Sequence, residues 1–414
     1  MATAQGRRRV GIEKIWAYPC QLALNLSDLA EARGIERDYP PKDLLVQERA
    51  VNPCWEDAAT MAVNAAKPML TEEDLARIEL LIVGTESSPD AGKPISTFVY
   101  RFLGIQENCR NFETKHACYG GTSGLMMAAH WVASGVSPGG KALVICTDQG
   151  RMHLGARHEY VLGAGAVALL ISEQPDVLEL ELEHNGYWTQ EVGDTFRPTS
   201  KHEAGNTENS VYCYLDALEG AFTHFQKKAG DVGFDRYFKN NLYHVPFCAM
   251  AYRAHRTLLR TEGRIRRADA EKNFERKVKP GLTYNARVGG TYTGSTFFSL
   301  CGLIDHATEL EPGDRIGIFA YGSGSCAEYY SAIVGEKAKE IVGRIGLGKL
   351  LDGRRSLTVD EYEAIEKERT SYIDEETYEV PLDGVPGLYE SHYKDKGLLV
   401  LRGLKGYFRD YQWS

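Results

Sequence analysis

The chain has 414 residues, 43% of them hydrophobic and 25% charged, and a net charge of −9. Those proportions exclude a disordered or fibrous chain, and the acidic balance argues against general nucleic-acid binding. The nine cysteines include no CxxC pair and signal neither a disulfide framework nor a metal site, while the start MATAQGRRRV lacks a secretory apolar run, which points to the cytoplasm.

Short apolar runs alternate with helical patterns, the mark of an α/β fold. Residues 80–84 read as a buried strand ending in Thr85-Glu86-Ser87-Ser88. A short strand at 112–115 leads into His116-Ala117-Cys118-Tyr119. The apolar spacing over 120–134 predicts a buried helix carrying Leu125, Met126, Met127, Ala128 and Trp131. Residues 141–146 form a further strand. The longest apolar run, 161–172, falls short of the roughly 18 residues of a membrane span, so no membrane segment is expected. A long helix around 215–228 opens the second half.

Three short patterns recur in the same order. Tyr119-Gly-Gly-Thr-Ser, Pro138-Gly-Gly-Lys141 and Gly163-Ala-Gly-Ala are followed later by Tyr292-Thr-Gly-Ser-Thr, Pro312-Gly-Asp-Arg315 and Gly322-Ser-Gly-Ser. The tyrosine-to-basic spacing is 22 residues in the first (119 to 141) and 23 in the second (292 to 315). The distance to the Gly-x-Gly then drifts, 44 residues (119 to 163) against 30 (292 to 322), which places an insertion in the first copy. A duplicated α/β unit follows, with halves at 1–175 and 176–414. Its site is expected where the halves meet, at strand C-termini.

Cys118 is the sharpest chemical candidate. It stands between a strand and a glycine-flanked helix start, where the helix N-terminus favours negative charge on sulfur and free N–H groups could hold an oxyanion. Glu86, at the end of a buried strand, is placed to act as a base. His244 lies in Tyr243-His-Val-Pro-Phe247. Tyr321-Gly322-Ser323-Gly324 is a glycine-rich turn after a strand that could offer N–H groups, and it lacks the ending of a phosphate-binding loop.

The stretches Val10-Gly-Ile-Glu-Lys, Leu29-Ala-Glu-Ala-Arg33, Gly84-Thr-Glu-Ser, Ala117-Cys-Tyr-Gly-Gly-Thr, His244-Val-Pro-Phe, Tyr292-Thr-Gly-Ser and Tyr321-Gly-Ser-Gly together resemble 3-hydroxy-3-methylglutaryl-CoA (HMG-CoA) synthase over nearly the whole chain. The resemblance implies a thiolase-like five-layered αβαβα fold and a homodimer. It makes Cys118 the acylated nucleophile, Glu86 the general base and His244 the residue serving the acceptor carbonyl. Tyr321, Gly322 and Ser323 fall at the oxyanion and substrate side. No cofactor is bound; a phosphopantetheine thioester is the substrate.

Departures from the family pattern point to a branch of it. The lysines that hold CoA in synthases of primary metabolism are replaced by Ala249 and Arg253, and the family's Val-Gly-Asn is Val288-Gly-Gly290. Ala-Arg-Tyr after Thr147-Asp148 becomes Gly150-Arg151-Met152, which reshapes the pocket. Lys115-His116 and Phe196-Arg-Pro-Thr199 look like the homologues of polyketide β-branching, which act on substrates tethered to acyl carrier protein (ACP). Residues 253–279 hold ten Lys or Arg against four Asp or Glu, a basic stretch in an acidic chain. Such a stretch would steer an acidic ACP. Arg33, Arg253, Arg266 and Arg267 are the expected carrier or phosphopantetheine contacts. The alternatives are an HMG-CoA synthase of primary isoprenoid metabolism, a ketoacyl-ACP synthase and a non-catalytic scaffold, and the donor stays open between acetyl and propionyl.

Overall fold

Ten strands make one mixed sheet in the computed structural model, which describes residues 8–150 and 154–414. They are β1 (Gly11–Tyr18), β2 (Ile78–Gly84), β3 (Arg110–Thr114), β4 (Lys141–Gln149), β5 (Ala164–Ser172), β6 (Leu178–Leu180), β7 (Gly186–Thr189), β8 (Asn240–Tyr243), β9 (Arg315–Gly322) and β10 (Cys326–Val334). Their order is β8-β9-β10-β6-β1-β5-β4-β2-β3, with β7 attached to β10. Outward from the β1–β6 junction, β1, β5, β4 and β2 pair antiparallel, antiparallel and parallel. The strands β6, β10, β9 and β8 repeat that series on the other side. The duplication is therefore in the backbone as well as in the sequence. The insertion falls between β4 and β5, a join spanned in the second copy by only Ser323-Gly324-Ser325.

Strands β4 and β5 are buried at every position because helices cover both faces, so they read as continuous apolar runs rather than alternating ones. On the first half pack α1 (Ala58–Ala66), against β1, β4 and β5, and α2 (Gly120–Ser134), against β2 and β4. On the second pack α3 (Thr207–Ala229), against β7 and β10, and α6 (Ser295–His306), near β8. Between them in the chain come α4 (Cys248–Thr261) and α5 (Arg267–Lys277). Helices α2 and α6 stand at equivalent points of the repeat, each beginning at its Tyr-Gly-Gly-Thr or Tyr-Thr-Gly-Ser pattern. The architecture is the thiolase type that the resemblance implies.

The expected strands and the 120–134 helix form with boundary shifts of a few residues. The helix expected at 215–228 starts earlier, at Thr207, because the Asn206 side chain accepts from the N–H groups of Glu208 and Asn209 and caps it. One expectation within α2 is corrected. Leu125, Met126 and Ala128 are buried, but Met127 is 50% exposed. The 3.6-residue period sends Met127 and His130 to the one face of α2 that the sheet leaves uncovered. Smaller elements complete the chain, including a three-stranded sheet (Leu22–Asn25, Glu48–Val51, Arg355–Leu357) and a C-terminal hairpin (Leu399–Lys405, Phe408–Trp413).

Candidate active site

The register of the first half puts three strand ends side by side. Gly84 at the end of β2 pairs with Thr114 of β3 and Cys146 of β4, so Glu86, Cys118 and Asp148 lie just beyond adjoining C-terminal ends or on the last turn of strand. In the second half Tyr243 pairs with Phe319, which brings the ends of β8 and β9 together with His244 and Ser323 just past them. This is the crevice at which α/β sheets build their sites.

A strained turn aims Cys118. Ala117 has φ +41, a left-handed conformation that costs a side-chain-bearing residue about 1–3 kcal/mol. Tyr119 N–H to His116 carbonyl at 3.0 Å and Gly120 N–H to Ala117 carbonyl at 3.1 Å hold it there. Glycine at 84 lets β2 approach the start of α2 directly, since a Cβ there would lie 2.6 Å from Gly121 Cα. That approach brings Glu86 to the thiol. Cys118 Sγ donates to Glu86 Oε1 at 3.2 Å.

Burial pushes the Glu86 carboxyl up to about 7, helped by nearby Asp148 and opposed by Arg197. Burial and the Glu86 carboxylate together push the Cys118 thiol well above its ordinary value. This corrects the expected thiolate at a helix start. The N–H groups of Tyr119 and Gly120, at the very start of α2, are engaged by the His116 and Ala117 carbonyls, and a carboxylate stands beside the sulfur. At rest the proton stays on sulfur and Glu86 is the acceptor that can take it.

Three groups that sequence reasoning did not single out shape this pair. Asp148 is fully buried and accepts from Glu86 N–H (2.9 Å), Thr85 Oγ1 (3.1 Å), Ser87 Oγ (2.8 Å), Thr293 N–H (3.1 Å) and Thr293 Oγ1 (2.5 Å). Arg197, in the Phe-Arg-Pro-Thr motif, donates to the Glu86 carbonyl at 2.7 Å and to Glu203 at 2.9 Å, and its guanidinium lies 4.9 Å from the Tyr292 ring centroid. Asp194 accepts from Tyr321 Oη at 2.6 Å and from Gly324 N–H at 2.8 Å, which pins the loop carrying Ser323. Only Arg197 had a sequence signal, the motif itself. Asp194 sits among polar residues, and Asp148, though it closes the apolar strand at 141–146, carries no pattern that marks it as a buried acceptor.

His244 is buried; its backbone N–H donates to the Phe319 carbonyl at 2.7 Å and its carbonyl accepts from Tyr214 Oη at 2.8 Å. Burial lowers its ring to about 3, so it stands as a neutral imidazole. Gly322 packs on the turn that carries Cys118, where a Cβ would meet the His116 carbonyl oxygen at 2.3 Å. A cavity of about 470 Å³ is lined by Cys118, His244, Tyr321, Ser323, Phe247 and Tyr292, with Gly290 and Glu203 on its wall. The expected catalytic and oxyanion-side residues therefore converge. Met152 and Arg151 lie outside the described residues.

The basic candidates differ in their surroundings. Arg33 is 19% exposed and held by Glu159 (3.0 Å) and Glu363 (2.7 Å); Glu159 follows in the chain the His158 that lines the cavity. Arg253 is exposed on α4, the helix that follows His244, and the segment Pro40–Leu44 packs against both α4 and the helix Leu26–Ala32 that precedes Arg33. Arg266 and Arg267 project at the start of α5, 86% and 84% exposed, each paired within the helix to Asp269 and Glu271. Lys277 of the same basic stretch is buried and bonded to the Phe238 carbonyl and Asp235, so it belongs to the fold.

With this geometry in place, the comparisons define the class as condensing acyltransferases of thiolase type. Residues 7–176 match the family described as Hydroxymethylglutaryl-coenzyme A synthase N terminal, and 267–389 its C terminal. The chain belongs to the hydroxymethylglutaryl-CoA synthase family. A relative from Bacillus subtilis, the polyketide biosynthesis 3-hydroxy-3-methylglutaryl-ACP synthase PksG, is 38% identical over 97% of this chain and 99% of its own. The hydroxymethylglutaryl-CoA synthase of Enterococcus faecalis is 35% identical over 86% of this chain and 91% of its own. Among solved structures, the HMG synthase of the curacin biosynthetic pathway in complex with acetyl donor-ACP superposes with a TM-score of 0.94 at 38% identity, covering 98% of this chain and all of that one (100%).

Proposed function

We propose that the protein is an HMG synthase of polyketide β-branching that takes acetyl from acetyl-S-ACP and joins it to the β-ketone of an ACP-bound polyketide intermediate. The observation that carries this reading is the Cys118 thiol donating to Glu86 at 3.2 Å beside a cavity that His244 and Ser323 also line. Glu86 takes the thiol proton, Cys118 sulfur attacks the acetyl thioester, and the carrier thiol leaves protonated. Glu86 then removes a methyl proton from the acetyl-enzyme, and the enolate carbon forms a bond to the acceptor ketone carbon. The neutral His244 imidazole donates to the oxygen that becomes alkoxide. Backbone N–H groups of Cys118 and Ser323 receive thioester oxyanions, and loss of such a donor costs roughly 3–4 kcal/mol. Water cleaves the Cys118 thioester, leaving a carboxymethyl branch beside the new hydroxyl.

The carrier reading is supported by relatives named for ACP work and by exposed Arg253, Arg266 and Arg267 on the α4–α5 face. The halves divide near residue 175, between β5 and β6. A homodimer is favoured by the outer edge of β3, the last strand of the sheet, and by exposed Met127 nearby on α2. A cytoplasmic site suits nine unpaired cysteines; among the described residues no helix is long and apolar enough to cross a membrane. The test is intact-mass spectrometry of the protein mixed with acetyl-ACP and, in parallel, acetyl-CoA. Rapid gain of one acetyl from ACP, absent in Cys118→Ala, supports the proposal. Preference for CoA returns the protein to primary HMG-CoA synthesis, and acetylation of the Cys118→Ala protein removes Cys118 from the role.

A further inference from the structure

Most apolar side chains join one continuous core, but Leu162 and Tyr292 form a separate small cluster against which Cys118 and Val161 pack. This cluster is a collar on the nucleophile, and Leu162, Val161 and Tyr292 also line the cavity. Leu162 is the side chain in it that belongs to no catalytic or hydrogen-bonding group. It lies in the insertion that sets the first copy apart from the second.

Leu162 is seated by backbone-to-backbone contact. Residues 161–163 run alongside 288–290, with Gly290 N–H to the Val161 carbonyl at 2.7 Å and Gly163 N–H to the Gly290 carbonyl at 2.9 Å. Glycines make the approach possible: a Cβ at 163 would lie 2.0 Å from the Val288 oxygen, and one at 290 would lie 2.8 Å from the Pro246 oxygen and 2.9 Å from that of Val161. On the other side, a Cβ at 150 would lie 2.9 Å from Leu162 Cβ. Gly150 N–H also donates to the Gly163 carbonyl at 2.8 Å. The leucine is thus held between two strips of chain that meet without intervening side chains. A wall fixed in this way gives little when a larger group presses on it.

We propose that Leu162 sets the size of the acyl group that Cys118 carries, seating acetyl and excluding propionyl and longer chains. The inference rests on the reading of Cys118 as the acylated nucleophile. An acyl group bonded to Sγ must occupy the space next to the sulfur, and Leu162 bounds that space. Gly290 serves the same end indirectly, since it lets the segment bearing Leu162 close down on the site. Leu162 is a specificity-determining residue and takes no part in proton transfer.

The test is the rate of acyl gain on the whole protein, read by intact mass, with acetyl-, propionyl- and butyryl-pantetheine as donors. The wild-type protein is expected to prefer acetyl over propionyl by about 10- to 200-fold, the range of one methylene in an apolar pocket. Leu162→Ala is expected to shrink that ratio to within about 3-fold, with Leu162→Val between the two as a milder change that keeps the fold. Equal loading of acetyl and propionyl by the wild-type protein overturns the proposal, as does an unchanged ratio in a folded Leu162→Val and Leu162→Ala pair. Loading on a residue other than Cys118, shown by acyl gain in Cys118→Ala, overturns the parent reading instead and the proposal with it.

Discussion

Gly322 offers the sharpest perturbation of Cys118 that removes none of the proposed reacting groups. A methyl at this position would lie 2.3 Å from the His116 carbonyl oxygen and 2.8 Å from both the backbone N and Cβ of Tyr119. Ordinary contact begins near 3.4 Å, so the turn must retreat by about 1 Å or β9 must. The contacts are to backbone and to a Cβ, which have no rotamer escape, and β9 is tied to β8 and β10 on both sides. The turn is the weaker of the two, because Ala117 is already held at a positive φ. A displacement near 1 Å at the reacting atom costs about 100-fold in rate. Overpacking of this size costs about 1–3 kcal/mol of stability. Gly322→Ala is therefore expected to fold, with a small drop in thermal midpoint, and to acquire acetyl from acetyl-ACP about 100-fold more slowly in a quenched mass-spectrometric time course. Acetylation within about 3-fold of the wild-type protein would refute the claim that this contact sets the position of Cys118.

Glu86 is expected to acquire its proton-accepting form only near neutrality: its carboxyl rises from 4.5 to about 7 by burial, so condensation should climb with pH and level off above about 7. A plateau already reached at pH 5 would place the base elsewhere, and Glu86→Gln should accept acetyl slowly yet fail to condense. Glu56 is wholly buried, accepts from Tyr18 and Tyr393, and is likewise raised from 4.5 to about 7 by burial. Its contribution to stability is full below about 4.5 and is lost as pH rises through about 7, a change on the order of 3 kcal/mol. Glu56→Gln should therefore narrow the difference in thermal midpoint between pH 5 and pH 8, and an unaltered difference would dismiss this group as its source. Replacing both Arg266 and Arg267 by Glu should slow loading from acetyl-ACP by about 10-fold at low salt. Loading from acetyl-pantetheine should hardly alter, and equal losses with both donors would rule out carrier docking there.

Residues at strand ends were the legible part of the site. Glu86 and Ser323 follow apolar runs, while Cys118 and His244 follow short strands of mixed character and are marked by the Gly-Gly and Val-Pro-Phe that come after them. The repeat was legible for the same reason, because its glycines and its basic residues stand at the starts and ends of strands. What could not be read is what depends on contacts between distant segments. Asp148 acts through Thr293, 145 residues away, and Arg197 reaches Glu86 across 111. No local pattern distinguishes such residues from solvated ones. The outward turn of Met127 also depends on which face the sheet leaves bare. The resting state of Cys118 depends on distant contacts too: a helix start favours thiolate only when its N–H groups are free and no carboxylate is near.

These long-range contacts explain why the site needs both copies of the repeat. Cys118, Glu86 and Asp148 come from the first copy, but the turn bearing Cys118 rests on Gly322 from the second. Thr293, also from the second, satisfies Asp148 with both its N–H and its hydroxyl and donates to the Gly84 carbonyl at 3.1 Å as well. Undocking the halves would take two of its five donors from the buried Asp148 carboxylate, at a cost of roughly 1–3 kcal/mol for each bond left unmade. The same contacts that position the thiol therefore also favour the docked state. Without the second half the turn loses its support on Gly322, so the placement of Cys118 is a property of the junction.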